Sequence, residues 1–246
     1  MKIAYCAGHD RNTPGKRLPA QLDAAQTREW ILNDRVARQF AEAARQYPQL
    51  QLLRTDDSTG QNFIDIPDRV AKANSWGADL YIDIHHNAAG RVFSGGGVEI
   101  YSYPGSEKGK QYRDAIYEAV VAAGGCKGDR ANPLQEKKFD SLRLTNMPAV
   151  LIEYGFMDST ADAPVILTEA YAAKVGTATL EAIARVAGLE KAVYGYPLTQ
   201  FIREVQAATG AKVDGIAGPE TFSKTVTVSE QKNNTHPVVL PLQKRL

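Results

Sequence analysis

The chain contains four histidines, His9, His85, His86 and His236. Three of them follow short apolar runs: His9 comes just past residues 3–7, and His85-His86 come just past residues 80–84. Glu153 ends a third such run, which begins at residue 149. If these runs are strands of one open parallel sheet, the loops at their carboxyl ends converge on a single crevice. Imidazole and carboxylate groups delivered there suit a hydrolytic zinc centre, in which the protein leaves one coordination position open for water. The pKa of such a water falls to about 7, and a further carboxylate beside it can take its proton and pass it to a leaving amine. Taken singly, a histidine ending a strand is more often a polar cap than a ligand, and a strand-end glutamate is usually exposed. The coincidence of three histidines and one glutamate at one sheet edge is what points to a site. Period-2 alternation sends His85 and His86 to opposite faces of their strand, so one ion does not take both.

The elements that must position these groups can be read from hydrophobic period. Residues 3–7, 50–54, 80–84, 97–103 and 149–154 read as strands, and 29–47, 67–76, 107–123 and 169–187 as helices. In the first helix, Trp30, Ala37, Phe40, Ala41 and Ala44 share one stripe. Strands alternating with helices predict an α/β fold, a mostly parallel twisted sheet with helices on both faces. The nearly unbroken apolar runs 80–84 and 149–152 fit strands covered on both sides.

A boundary is expected within residues 188–197, a stretch rich in Gly, Tyr and Pro. It separates a main domain, 1–189, from a small helical C-terminal module, 196–246. In the latter, a helix over 199–208 precedes an Asp214-Gly215 turn and a second helix opening at Gly218-Pro219-Glu220-Thr221. Residues 225–235 read as a polar linker. The run Phe201 to Gln206 partly repeats as Val238 to Gln243, as if a second copy began and stopped. The apolar segment 238–242 is expected to pack back on the first half, with Leu240, Leu242 and Leu246 covering Phe201 and Val205, or to pair with a second chain.

Composition sets outer bounds. Hydrophobic residues at 43% supply a sizeable core, and a net charge of +1 gives no global attraction to nucleic acid or anionic membranes. No run approaches the ~20 apolar residues of a membrane span. Cys6 and Cys126 sit in unrelated contexts and are expected to be free thiols. The first residues reach Gly8-His9 too soon for a signal peptide, so synthesis in the cytoplasm without an export tag is expected.

Five stretches together resemble the N-acetylmuramoyl-L-alanine amidase type-3 family of cell-wall hydrolases and phage endolysins. They are Ala7-Gly8-His9-Asp10, Asn12 to Arg17, Arg28-Glu29-Trp30, Ala78 to Ala88, and Pro148 to Phe156. The resemblance implies a Zn2+ ion on His9, Glu29 and His85, with Glu153 as the catalytic acid and base. Glu29 enters only through it, because a glutamate at a helix start is an ordinary dipole partner. Asn87, on the same strand face as His85, is expected to hydrogen-bond substrate, and the loop 91–97 to flank the groove. Asp10 replaces a frequent Gly and Asp83 a frequent Ser. The implied activity is cleavage of the amide between N-acetylmuramic acid and L-alanine in bacterial peptidoglycan, and the lack of a leader favours an endolysin over an autolysin. The alternatives are a zinc peptidase cutting within the stem peptide and an inactive wall-binding protein. The segment Val205-Gln206 with Val213 to Thr221 resembles the peptidoglycan-binding type-1 module, which implies a wall-targeting tail.

Overall fold

The computed structural model describes residues 1–192, 198–226, 228, 235–239 and 241–242. The chain clusters into two compact units, Met1–Lys191 and Ala192–Leu246.

In the first unit, in chain order, come β1 (Lys2–Ala7), α1 (Glu29–Ala44), β2 (Gln51–Arg54), α2 (Ile66–Trp76), β3 (Leu80–Asn87) and β4 (Glu99–Ser102). Then follow α3 (Glu107–Ala122), β5 (Leu134–Glu136), α4 (Asp140–Arg143), β6 (Ala149–Phe156), α5 (Ala163–Ile166) and α6 (Glu169–Val186). The six strands form one sheet in the order β2-β1-β3-β6-β4-β5. All neighbouring pairs are parallel except β4 with β6, which run antiparallel. The mostly parallel sheet expected from sequence is therefore present with one reversed contact. The three-residue β5 and the four-residue α4 and α5 were not anticipated, being too short to show a period.

Alternation along the strands divides the core. Ile3, Tyr5, Ile82, Ile84, Val150, Ile152 and Tyr154 face one way, packed with Trp30, Val36 and Phe40 of α1, Ile116 of α3 and Val175 and Leu180 of α6. Ala4, Cys6, Tyr81, Tyr101 and Leu151 face the other way, under Val70 and Ala73 of α2 and Leu142 of α4. The stripe expected on α1 is buried at Trp30, Ala37, Phe40 and Ala44, while Ala41 is only partly covered. Residues of the second set share their parity with Asp83, His85, Glu99 and Glu153. Asp83, His85 and Glu153 thus lie toward the carboxyl ends of their strands, and Glu99 at the amino end of the reversed β4, on the same faces whose middles are apolar.

Helix ends are set locally. Asp65 caps α2, accepting from the Asp68 amide at 2.9 Å, and Gly77 ends it in the left-handed conformation. Ser106 and Thr168 cap α3 and α6 in the same way. Cys6 and Cys126 are free thiols. Among the described residues no helix is long and apolar enough to cross a membrane.

The second unit carries α7 (Leu198–Thr209) and α8 (Pro219–Lys224). Gln206, 1% exposed, ties them: its Nε2 donates to Asp214 Oδ1 at 2.8 Å, the Ile216 carbonyl at 3.0 Å and Thr221 Oγ1 at 3.0 Å. Its Oε1 accepts from the Asp214 and Gly215 amides. Phe201, Val205, Val238 and Leu242 help line an apolar cavity of about 320 Å³. Leu240 and Leu246, expected to join that packing, lie outside the described residues, as do 193–197 of the expected boundary and most of the expected linker.

Candidate metal centre

The first histidine sits where β1 ends. His9 has φ +67°, the left-handed region that non-glycine residues seldom occupy. Buried Arg69 of α2 holds this turn, donating to the His9 carbonyl at 2.9 Å and the Ala7 carbonyl at 3.1 Å. Gly8 is fixed on both sides, its amide to the Ile84 carbonyl at 2.9 Å and its carbonyl to Asn33 Nδ2 at 3.1 Å. A Cβ at Gly8 would lie 2.0 Å from Cε1 of His85, so glycine is required here by the close approach of that ring. Asp10 shapes the loop that follows, accepting from the Asn12 amide at 3.0 Å and from Thr13 Oγ1 at 2.5 Å.

Glu29 opens α1 and is 1% exposed. A first-turn glutamate serving only the helix dipole would face water; this one turns inward. Its Oε1 lies 3.1 Å from His85 Nδ1 and accepts from the His86 amide at 3.3 Å. Its Oε2 lies 3.3 Å from His9 Nε2 and 3.6 Å from Lys16 Nζ, yet is buried without a hydrogen bond. One ligand atom from each of His9, Glu29 and His85 falls within 4.8 Å of the others. The two imidazoles meet edge to face, with centroids 5.0 Å apart. Two imidazole nitrogens and a carboxylate with an orphaned buried oxygen form a donor set that fits a divalent ion of the zinc type.

Charge is concentrated here. Burial alone would raise Glu29, but the neighbouring His85 and His9 hold its carboxyl well below the usual range. Burial opposes the charged form of His85, yet the Asp83 and Glu29 carboxylates push it well above its ordinary value. Burial pulls His9 down.

Glu153 stands opposite His85 in the β3–β6 register, and Glu99 opposite Glu153 in the β6–β4 register. Glu153 Oε2 is buried and unpartnered. Burial, opposed by His85 and reinforced by Glu29, pushes its carboxyl up to about 8. Glu99 is fully engaged: Oε1 accepts from Arg130 Nε at 2.7 Å, and Oε2 from Tyr101 at 2.7 Å and Asn87 Nδ2 at 2.9 Å. The Asn87 side chain is thereby fixed on the same face as Glu153, just past a register shift in β3.

His86 points to the other face, 2% exposed, with Nδ1 at 2.8 Å from Asn33 Oδ1 and its ring against Tyr154. Burial pulls it down to about 3, so it is neutral. His236 belongs to the second unit, where its Nδ1 accepts from the Val238 amide at 3.2 Å. One hollow opens on the cluster and a second lies along neighbouring loops. The first, of about 250 Å³, is lined by His9, Asp83, His85, Cys6 and Arg69 among others. The other, more open and of about 530 Å³, runs past Gly15, Arg17, Ala88, Arg91 and Met157, so the start of the expected loop 91–97 borders it. Sequence reasoning missed Arg69, Glu99 and Arg130. Each acts through contacts distant in the chain, and the only local signal was the parity that Glu99 shares with Tyr101.

Comparison with known proteins converges on one family. The family model described as N-acetylmuramoyl-L-alanine amidase matches residues 3–185. N-acetylmuramoyl-L-alanine amidase CwlM of Bacillus licheniformis is 31% identical over 212 residues, covering 84% of this chain and 78% of that protein. The endolysin of Bacillus phage SPP1 is 34% identical over 137 residues, about half of each chain (52% and 48%). Among solved structures, the amidase from Clostridium difficile 630 superposes with a TM-score of 0.67 at 23% identity, covering 76% of this chain and 96% of the other. The catalytic domain of CwlV from Bacillus (Paenibacillus) polymyxa does so with a TM-score of 0.66 at 22% identity, covering 77% and 99%. At these identities the structures speak for the fold, whereas the family model and the sequence relative speak for descent. The chain belongs to the N-acetylmuramoyl-L-alanine amidase family of cell-wall hydrolases.

Proposed function

We propose that this chain is a zinc-dependent amidase that hydrolyses the bond between N-acetylmuramic acid and the first L-alanine of peptidoglycan. Peptidoglycan amide hydrolysis is the activity of its family. The observation that supports the zinc centre is the approach of His9, Glu29 and His85 to within 4.8 Å, around a buried carboxylate oxygen that makes no hydrogen bond.

A zinc ion held by those three residues would supply a Lewis acid for the scissile carbonyl and bring the pKa of a water to about 7. Glu153 moves the proton. Its buried carboxyl, with Oε2 free of any hydrogen bond, is placed to take a proton from the attacking water and give it to the departing alanine nitrogen. Asn87 has one amide hydrogen on Glu99 and offers the other to the substrate. Arg69 and Gly8 fix the His9 turn, so the ligands are set before substrate arrives. We read the second unit as the wall-targeting part, its two helices locked by Gln206 in support of a small folded module.

The test is metal dependence. Dialysis against a chelator should abolish release of L-alanine amino termini from cell walls, and one equivalent of Zn2+ should restore it. Full activity in protein shown to be free of metal would refute the zinc reading.

A further inference from the structure

His85 is held at both ring nitrogens by different carboxylates. Nδ1 lies 3.1 Å from Glu29 Oε1, and Nε2 lies 3.1 Å from Asp83 Oδ1. Nδ1 is the nitrogen that faces Glu29, while Nε2 is taken up by Asp83, so Nδ1 is the one left to reach an ion shared with Glu29. Asp83 is two residues earlier on the same strand face and 3% exposed. The Cys6 thiol donates to its Oδ1 at 3.0 Å, and Cys6 Sγ in turn accepts from the Tyr81 hydroxyl at 3.2 Å. The carboxylate is therefore anchored from below before it meets the ring. Gly8 abuts the ring closely, but the cavity of about 250 Å³ lined by Asp83, His85 and His9 leaves open space beside it. Packing alone does not fix the ring.

We propose that Asp83 is the positioning residue of the metal centre: it accepts the Nε2 hydrogen of His85 and so presents the Nδ1 lone pair to the ion. Histidine ligands commonly donate their second N–H to a carboxylate, which fixes tautomer and orientation, and losing that partner typically costs about 10–100-fold in metal affinity or activity. The inference rests on the reading that His9, Glu29 and His85 hold zinc.

Zinc affinity of the full chain, measured by chelator competition, tests it in Asp83→Ala and Asp83→Asn. Asp83→Ala should bind zinc about 10–100-fold more weakly, and Asp83→Asn should fall between it and the wild type. Melting of the metal-free proteins, followed alongside, separates this loss from unfolding. Ring ¹⁵N spectra of the zinc-loaded wild type should show His85 protonated at Nε2 and bound through Nδ1. A folded Asp83→Ala protein with zinc affinity within about threefold of wild type would overturn the proposal, as would a His85 proton on Nδ1. A wild type that binds no zinc would remove the parent reading and this one with it; wild-type zinc binding with an unaffected variant overturns this one alone.

Discussion

Replacing Gly8 with alanine tests how tightly the backbone sets the metal centre. The added Cβ would stand 2.0 Å from Cε1, 2.3 Å from Nε2 and 2.4 Å from Nδ1 of His85, whereas ordinary contact begins at 3.4 Å. The backbone at Gly8 has little freedom to yield. Its amide and carbonyl are both bonded, to Ile84 and Asn33, and β1 lies between β2 and β3. The ring must therefore retreat by about 1.4 Å, several times the ~0.2 Å tolerance of a metal–ligand distance. A misplacement of about 1 Å at a reacting centre costs on the order of 10²-fold in rate. Gly8→Ala should thus lose about 100-fold or more in kcat/KM and fail to retain a full equivalent of zinc through desalting. Its metal-free form should melt within roughly 12 °C of wild type, since overpacking costs about 1–3 kcal/mol and each kcal/mol shifts Tm by about 2–4 °C in a domain of this size. Elemental analysis, calorimetry and an assay of newly exposed alanine amines read all three. A Gly8→Ala protein that holds one zinc and turns over normally would refute the claim that the His85 ring needs the space a glycine leaves.

Other substitutions divide the roles further. Glu153→Gln should lower turnover by about 10²–10⁴-fold while keeping one zinc, if the residue moves protons as proposed and is not a ligand; activity and metal content measured together decide it. His85→Ala should lose zinc and His86→Ala should keep it, since the His86 ring packs on Asn33 and Tyr154 on the opposite face. Zinc loss from His86→Ala in a folded protein would contradict that division. Ending the chain after Leu189 should leave a folded amidase with reduced sedimentation on purified cell walls, and unchanged wall binding would reject the targeting role of the second unit.

Much of this centre is legible in the chain because its groups lie toward the carboxyl ends of parallel strands. His9, His85 and Glu153 each follow an apolar run, and parallel strands bring their carboxyl ends to one edge. The split between His85 and His86 likewise follows from the pleat. Glu29 is different. At a helix start a glutamate is favourable for the dipole alone, and only similarity to known sequences marked it as a candidate ligand; its inward turn depends on where α1 crosses the sheet. Arg69 and Glu99 were hidden for a related reason. A buried arginine inside a helix of polar period looks solvated until its carbonyl partners, some 60 positions earlier, are in place. The reversed β4 leaves no trace in hydrophobic pattern either, since a covered strand reads alike in both directions. Short β5, α4 and α5 fall below the length at which a period can be counted.

Mass spectrometry of purified peptidoglycan digested by the zinc-loaded protein bears most directly on the central claim. Cleavage at the lactyl amide predicts peptide-free glycan whose muramic acids carry free lactyl carboxylates, together with intact stem peptides that begin with a free L-alanine amine. Fragments cut within the stem, with L-alanine still attached to muramic acid, would contradict it.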